Sequence, residues 1–203
     1  MSGASSPPPK PPSADDNAFK RELVALIPHL RAFARTLTGD PTAADDLAQD
    51  AMMKAWDARA SYQMGTNMKA WTFMILRNQF YSEKRRSWRQ SQLDQEAAER
   101  TLVAVDDPES PVALDELRLA LATLPEEQRE ALILVGAGGF AYEEAAEICQ
   151  CAVGTVKSRV SRARKALQAT LEKGGYARDG RAAGDAMRSI LAAADRLSSV
   201  RQG

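Results

Sequence analysis

The stretch from Tyr142 to Lys165, YEEAAEICQCAVGTVKSRVSRARK, decides how this chain is read. It divides into a short helix, a tight turn and a basic second helix, the outline of a helix-turn-helix DNA reader. Counted at about 100° per residue, Val156, Val160, Ala163 and Leu167 of the second helix share a sector roughly 60° wide, which is its buried side. Lys157, Ser158, Ser161, Arg162 and Lys165 share the far side, with Arg164 at its edge, and no acid occurs between Gly154 and Lys165. Arginine and lysine reach guanine edges, and serine hydroxyls serve bases or phosphates, so these residue types suit a major groove. A solvated basic face is the competing reading of the strip alone. Ala145, Ala146 and Ile148 weigh against it, because they let the preceding helix cross closely.

Working outward, Cys149 and Cys151 flank the turn and are the only cysteines. Two residues apart, they cannot staple a domain; with His29, the one histidine, they could be imagined as metal ligands, but small core residues are the better reading. No metal or cofactor is expected. The chain has 203 residues, enough for one large or two small domains, and it is rich in Ala, Leu, Arg and Glu with few strand signals. An all-α fold follows. The formal net charge is zero, yet charge is blocked: acids at Asp40, Asp45, Asp46 and Asp50, bases at Lys84, Arg85, Arg86 and Arg89, then acids from Asp94 to Glu116. Separate patches imply separate partners. No apolar run approaches the roughly 20 residues of a membrane span, and the N-terminus lacks a signal-peptide core, so a cytoplasmic protein without a membrane partner is expected. With one histidine and no phosphate loop, the chain carries no catalytic constellation and is not read as an enzyme.

Residues 1–17 include SPPPKPPS, an extended or disordered leader. Leu23, Leu26, Ile27, Leu30, Ala34 and Leu37 then recur at helical spacing, with Pro28 dividing or kinking the helix and Gly39 and Pro41 ending it. A second helix is capped by Thr42, with Asp45 as its first-turn acid, and reaches about Ala58. Leu47, Ala51 and Ala55 line its inside; Asp46, Asp50, Lys54 and Asp57 line its outside. Arg59 to Asn67 is a loop carrying Tyr62. A third helix, Met68 to Arg86, puts Phe73, Leu76 and Phe80 on a core stripe and Trp71, Asn78 and Arg85 on another, which continues into Lys84, Arg86, Trp88 and Arg89. Aromatics interleaved with cations suit single-stranded nucleic acid, although Trp71 taken alone reads as core. Residues 91–111 are an acidic linker between domains at 18–90 and 112–172. In the second domain Pro125 opens a helix that Gly136, Gly138 and Gly139 stop. Residues 173–203 form a tail with an amphipathic segment.

These elements, in this order, resemble an extracytoplasmic-function (ECF) sigma factor, the small two-domain subunit that directs bacterial RNA polymerase to promoters. The resemblance covers about Phe19 to Leu171 and rests on DDLAQDAMMKAWDA, KAWTFMILRNQFYSEKRR, LPEEQREALIL and YEEAAEICQCAVGTVKSRVSRAR. FAYEEAAEI followed by VGTVKSR is similar to the branch that runs the general stress response in alphaproteobacteria. The resemblance implies an all-α architecture, with a region 2 bundle and a region 4 helix-turn-helix joined by the acidic linker. It also implies three surfaces. Asp46, Gln49, Asp50 and Asp57 would dock on core polymerase. Tyr62, Trp71, Asn78, Lys84, Arg85 and Arg86 would meet the melted minus-ten element, Tyr62 helping to hold a flipped base. Lys157, Ser158, Ser161 and Arg162 would read base edges of the duplex minus-thirty-five element, with Thr155, Arg159 and Arg164 on phosphates and Lys165 also on that face. A small helical anti-sigma protein would be a further partner. Two positions depart from the family pattern: Gln150 stands in the turn where glycine is common, and Ala152 where a capping Ser or Thr is preferred. The alternative is a helix-turn-helix regulator that binds duplex DNA without polymerase; it leaves Tyr62, Asn78 and the Lys84 to Arg89 strip unexplained.

Overall fold

Proline and glycine place most of the breaks in the chain. The computed structural model describes residues 14–93 and 119–172. Helix α1 (Ala14–Ala25) precedes α2 (Ile27–Thr38), whose first turn holds Pro28. A proline lacks the N–H that a first turn leaves unpaired, so Pro28 divides the helix rather than bending it. Gly39 closes α2 at φ 72°, its N–H bonded to the Arg35 carbonyl, a left-handed cap that glycine adopts without strain.

Helix α3 (Pro41–Asp57) is capped by Asp40, whose carboxylate accepts from the Ala43 N–H at 2.7 Å. The expected cap, Thr42, lies inside the helix, because Pro41 can occupy the first helical position and the residue before it then takes the extended capping geometry. A 3₁₀ turn (Arg59–Ser61) leads to α4 (Met68–Leu93). Asn67 caps α4 by accepting from the Ala70 N–H at 3.0 Å. The helix runs beyond the expected end at Arg86 and beyond the expected domain boundary at 90, because nothing from Lys84 to Gln92 breaks a helix. At the other end α1 begins at Ala14, inside the expected leader, where Asp16 accepts from Arg59 at 2.9 Å. The expected leader over 1–13, most of the linker and the tail lie outside the described residues.

In the second half, a helical turn at 119–122 precedes α5 (Glu126–Gly136), α6 (Tyr142–Cys149) and α7 (Val153–Glu172). Pro125 is the N-cap of α5 rather than its first helical residue. Gly139, at φ 68°, turns the chain toward α6, whose N-terminus is held by Glu144 accepting from the Ala141 N–H at 2.8 Å.

The halves do not keep separate cores. Helices α2, α3 and α4 pack together, as do α5, α6 and α7, and α4 lies along α6 while α2 lies against α5. Phe33 stacks on Phe73 at 4.8 Å, and Phe73 meets Phe140 edge-on at 5.0 Å, so three rings carry one apolar core across the boundary. Burying such side chains is worth about 1.5–3 kcal/mol each, which makes this seam a substantial contact.

Candidate nucleic-acid interface

The turn of the helix-turn-helix is built on Gln150, at φ 53° the one non-glycine residue with positive φ among those described. Its N–H bonds to the Glu147 carbonyl at 3.2 Å, and the Cys151 N–H reaches the Ala146 carbonyl at 3.1 Å. These bonds satisfy the carbonyls that end α6. Ala152 opens α7: its carbonyl accepts from the Thr155 and Val156 N–H groups, but its methyl offers the helix N-terminus no acceptor. Cys149 is buried and Cys151 half-buried, and both are free thiols. Burial pushes the Cys149 thiol up to about 12, so it is an inert core group. No set of three metal-ligating side chains gathers among the described residues.

Val156, Val160, Ala163 and Leu167 are buried to within 1% and seat α7 against α5 and α6. This holds the opposite face outward. Lys157, Ser161, Arg162 and Lys165 are exposed, and Thr155 and Ser158 half-exposed. Arg162 is preset: its Nε donates to the Ser158 carbonyl at 3.2 Å and its Nη2 to the Ser158 hydroxyl at 3.0 Å. Lys157 lies over the Tyr142 ring at 5.7 Å. Two members of the expected set are differently engaged. Arg159, 16% exposed in its side chain, pairs with Glu127 at 2.5 Å, and Arg164 is half-buried at the edge of the face.

The expected minus-ten set divides. Asn78, Lys84, Arg85 and Arg86 are exposed along α4. Tyr62 is 9% exposed, its ring 5.7 Å from Phe19 and 5.0 Å from Trp71, and its hydroxyl donates to the Thr66 carbonyl at 2.8 Å. Trp71 is half-buried in the same cluster, against Phe19 at 6.1 Å. Phe19 comes from α1, and it turns an expected open stacking platform into a closed aromatic core. Lys84 is also engaged, with Glu126 at the start of α5.

On α3, Asp46, Gln49 and Asp57 are exposed and Asp50 half-exposed, so the acidic strip faces outward. Met53 stands within it, 56% exposed, and sequence reading passed over it. Lys54, the one base of the strip, is tied to Gln79 of α4.

Sequence reading also passed over a polar seam between the halves. Arg77 Nε donates to Glu130 Oε1 at 2.6 Å, and the Tyr81 hydroxyl donates to Oε2 at 3.3 Å. Glu130 is fully buried. Burial raises its pKa and Arg77 only partly opposes this. Burial works against the Arg77 charge as well, but Glu130 outweighs it and keeps the guanidinium protonated. Burial first, then the glutamates, raise the Tyr81 pKa, so the phenol stays a donor. Nearby, Lys69 donates to the Gly138 carbonyl at 2.7 Å over the Phe140 ring, and burial lowers its pKa. Asn67 reaches Glu144 at 2.8 Å, and Arg129 the Thr36 carbonyl at 3.0 Å. The available signal was charge set against apolar runs, Arg77 in FMILRNQF and Glu130 beside Arg129 in REALIL.

Comparison with known proteins agrees with this architecture. Residues 23–90 match the family model described as Sigma-70 region 2, and residues 114–167 match Sigma-70, region 4. The chain is 46% identical over 155 residues to the ECF RNA polymerase sigma factor EcfG of Rhodopseudomonas palustris, covering 76% of this chain and 86% of that protein. It is 32% identical over 146 residues to the RNA polymerase sigma-H factor of Pseudomonas aeruginosa, covering 66% and 75%. Among solved structures, the sigma factor RpoE of Bartonella quintana, in complex with the anti-sigma factor NepR, superimposes with a TM-score of 0.70 at 47% identity, covering 77% of this chain and 98% of that one. With a two-half helical fold, an outward basic recognition helix and relatives of this identity over most of their length, the chain belongs to the ECF RNA polymerase sigma factors.

Proposed function

We propose that this chain directs core RNA polymerase to promoters of general stress genes in the cytoplasm, and that an anti-sigma protein holds it in check. In this reading the outward face of α7, with Lys157, Ser158, Ser161 and Arg162 on base edges and Thr155, Arg159, Arg164 and Lys165 around them, takes the duplex minus-thirty-five element. The exposed part of α4, Asn78 with Lys84, Arg85 and Arg86, takes the melted minus-ten element. Trp71 and Tyr62 hold the loop beside α4 in shape, and a base enters there only if the Phe19 packing yields. Asp46, Gln49, Asp50 and Asp57 dock on a basic surface of the polymerase, around Met53.

The observation that carries the reading is the separation of two cationic faces, one on each half, from an acidic face on α3. A duplex regulator needs the first face alone. The two promoter elements lie about 25 base pairs apart, hence roughly 85 Å along duplex DNA. A compact body of 203 residues has a radius of gyration of about 17 Å. The packed halves therefore cannot reach both elements at once, and engaging a promoter requires the seam of α4 on α6 and α2 on α5 to part. The similarity to the NepR-bound sigma factor supports control by an anti-sigma protein of the same kind.

Transcription from a library of randomised minus-thirty-five and minus-ten elements, with core polymerase, tests the assignment. Arg162→Ala is expected to relax preference at one minus-thirty-five position by about 1–3 kcal/mol and leave the minus-ten preference intact. Unchanged promoter choice by the variant contradicts the role given to α7.

A further inference from the structure

The two most exposed large hydrophobic side chains among the described residues stand in strips of opposite charge. Trp88, 63% exposed, lies in the last turns of α4, where every residue from Glu83 to Gln90 is exposed. From Lys84 to Leu93 the helix carries Lys84, Arg85, Arg86 and Arg89 and no acid. Met53, 56% exposed, lies on α3 among Asp46, Asp50 and Asp57. Counted around each helix, Asp46, Asp50, Met53 and Asp57 share a sector of α3 about 60° wide, and Arg85, Trp88 and Arg89 a sector of α4 about 100° wide. Lys84 is taken by Glu126. Arg85, Arg86 and Arg89 on one helix, and Asp46, Asp50 and Asp57 on the other, make no hydrogen bond or ion pair among the described residues. Yet α3 and α4 pack together in the same chain, with Lys54 of the acidic strip tied to Gln79. A free helical end of one charge and an unpaired strip of the other both call for a partner.

We propose that two copies of this chain pair through these strips, the basic end of α4 on one copy lying along the acidic side of α3 on the other. The spacing matches. Trp88 stands three residues after Arg85, and Met53 three after Asp50. Helices laid parallel with Arg85 against Asp50 therefore bring the indole level with the thioether, about 4.5 Å along the axis, and aromatic rings and thioethers pack well. Arg89 then falls between Asp50 and Asp57. The symmetry matches too. Helices α3 and α4 are consecutive, and Ala55 near the end of α3 shares an apolar cluster with Met68 at the start of α4, so within one chain they run antiparallel. A two-fold axis across the helices sets each α4 parallel to the other copy's α3, and the contact is made twice. Half the wall of a helical rod about 12 Å long and 11 Å across is about 200 Å², so four such faces bury about 800 Å². An interface of that size forms reversibly and depends on opposite charge. The strip on α3 is the one assigned above to core polymerase, so the paired chain is an idle store that holoenzyme assembly must dissolve. That exclusion rests on the polymerase assignment; the pairing itself does not.

Sedimentation equilibrium of the full chain, without polymerase and across the micromolar range, tests the pairing. At low salt the chain is expected to pass from monomer to dimer as concentration rises, and at high salt to stay monomeric. Two reversals, Asp46→Lys with Asp50→Lys and Arg85→Glu with Arg86→Glu and Arg89→Glu, are first matched to the parent in helicity. Each alone should weaken pairing about tenfold or more, because both contacts then set like charges together. Mixed in equal amounts, the two variants should pair again, because each contact of the mixed dimer joins opposite charges. Trp88→Ala should weaken pairing and leave its salt dependence in place. A parent chain that is monomeric at every concentration overturns the proposal and leaves the end of α4 to another partner. A dimer that survives both reversals overturns it as well, and so do reversals that mixing fails to rescue. Assembly with core polymerase is measured separately. If Asp46→Lys with Asp50→Lys assembles normally but does not pair, the docking assignment falls and the pairing stands; if it pairs normally but does not assemble, the pairing falls and the docking assignment stands.

Discussion

Replacing Arg77 with methionine isolates the charge at the centre of the seam. Methionine keeps most of the apolar stem and removes the guanidinium, leaving the fully buried Glu130 carboxylate with Tyr81 as its remaining donor. Stranding a buried charge in this way costs about 3–5 kcal/mol. The chain can relieve that cost without unfolding, because Arg77 stands on α4 and Glu130 on α5, and parting the halves returns the carboxylate to water. The free energy of packing one half on the other therefore caps the loss. Arg77→Met is expected to open at neutral pH with its helicity intact: the radius of gyration in X-ray scattering rises, and amide exchange quickens along α4 and α5. Acid has the opposite effect. Burial raises the Glu130 pKa and Arg77 is the largest influence holding it down, so the variant's carboxyl rises further. A carboxyl with a raised pKa in the packed state takes up its proton more readily there than in the parted state. Packing is then strongest below the ordinary carboxylate range and weakens as pH rises through the raised value. Arg77→Met should be compact in acid and open at neutral pH. Glu130→Gln combined with Arg77→Met should be compact at both. An Arg77→Met protein as compact as the parent at neutral pH, with unchanged exchange, refutes the reasoning.

Two further outcomes are expected elsewhere. Gln150→Gly removes a side chain from left-handed backbone and should raise the thermal midpoint of region 4, a gain of about 0.5–1 kcal/mol; an unchanged or lower midpoint shows that the turn is unstrained. Asp46→Lys with Asp50→Lys should weaken assembly with core polymerase at least tenfold at low salt, by roughly 1.4 kcal/mol or more, and less as salt screens the contact. Size-exclusion titration against core enzyme reads this directly, and unaltered assembly removes α3 from the docking face.

Some of this molecule is written in local order. The period of Val156, Val160, Ala163 and Leu167 identified the buried side of α7, and burial of all four follows from helix geometry alone. Blocked charge on α3 and α4 likewise marked outward faces, since ionised groups stay in water unless paired. Local signals were less decisive at helix ends. Asp40 and Thr42 both suit a cap, and the position of Pro41 selects between them only when the backbone between α2 and α3 is known.

The rest depends on which distant residues meet. Tyr62 reads as an open aromatic in a loop, and Phe19, forty-three positions earlier, closes over it. Lys84 reads as a DNA contact and is paired with Glu126 across the seam. Arg77 and Glu130 each stand within an apolar run, but nothing local pairs the one with the other. By itself the sequence determined the helices, their inner faces, the recognition turn and the family, because periodicity, capping and short motifs act within a few residues along the chain. Only the tertiary structure decided that the two halves share one core and one buried ion pair, because desolvation and ion pairing depend on neighbours in space, and these neighbours are separated by tens of residues.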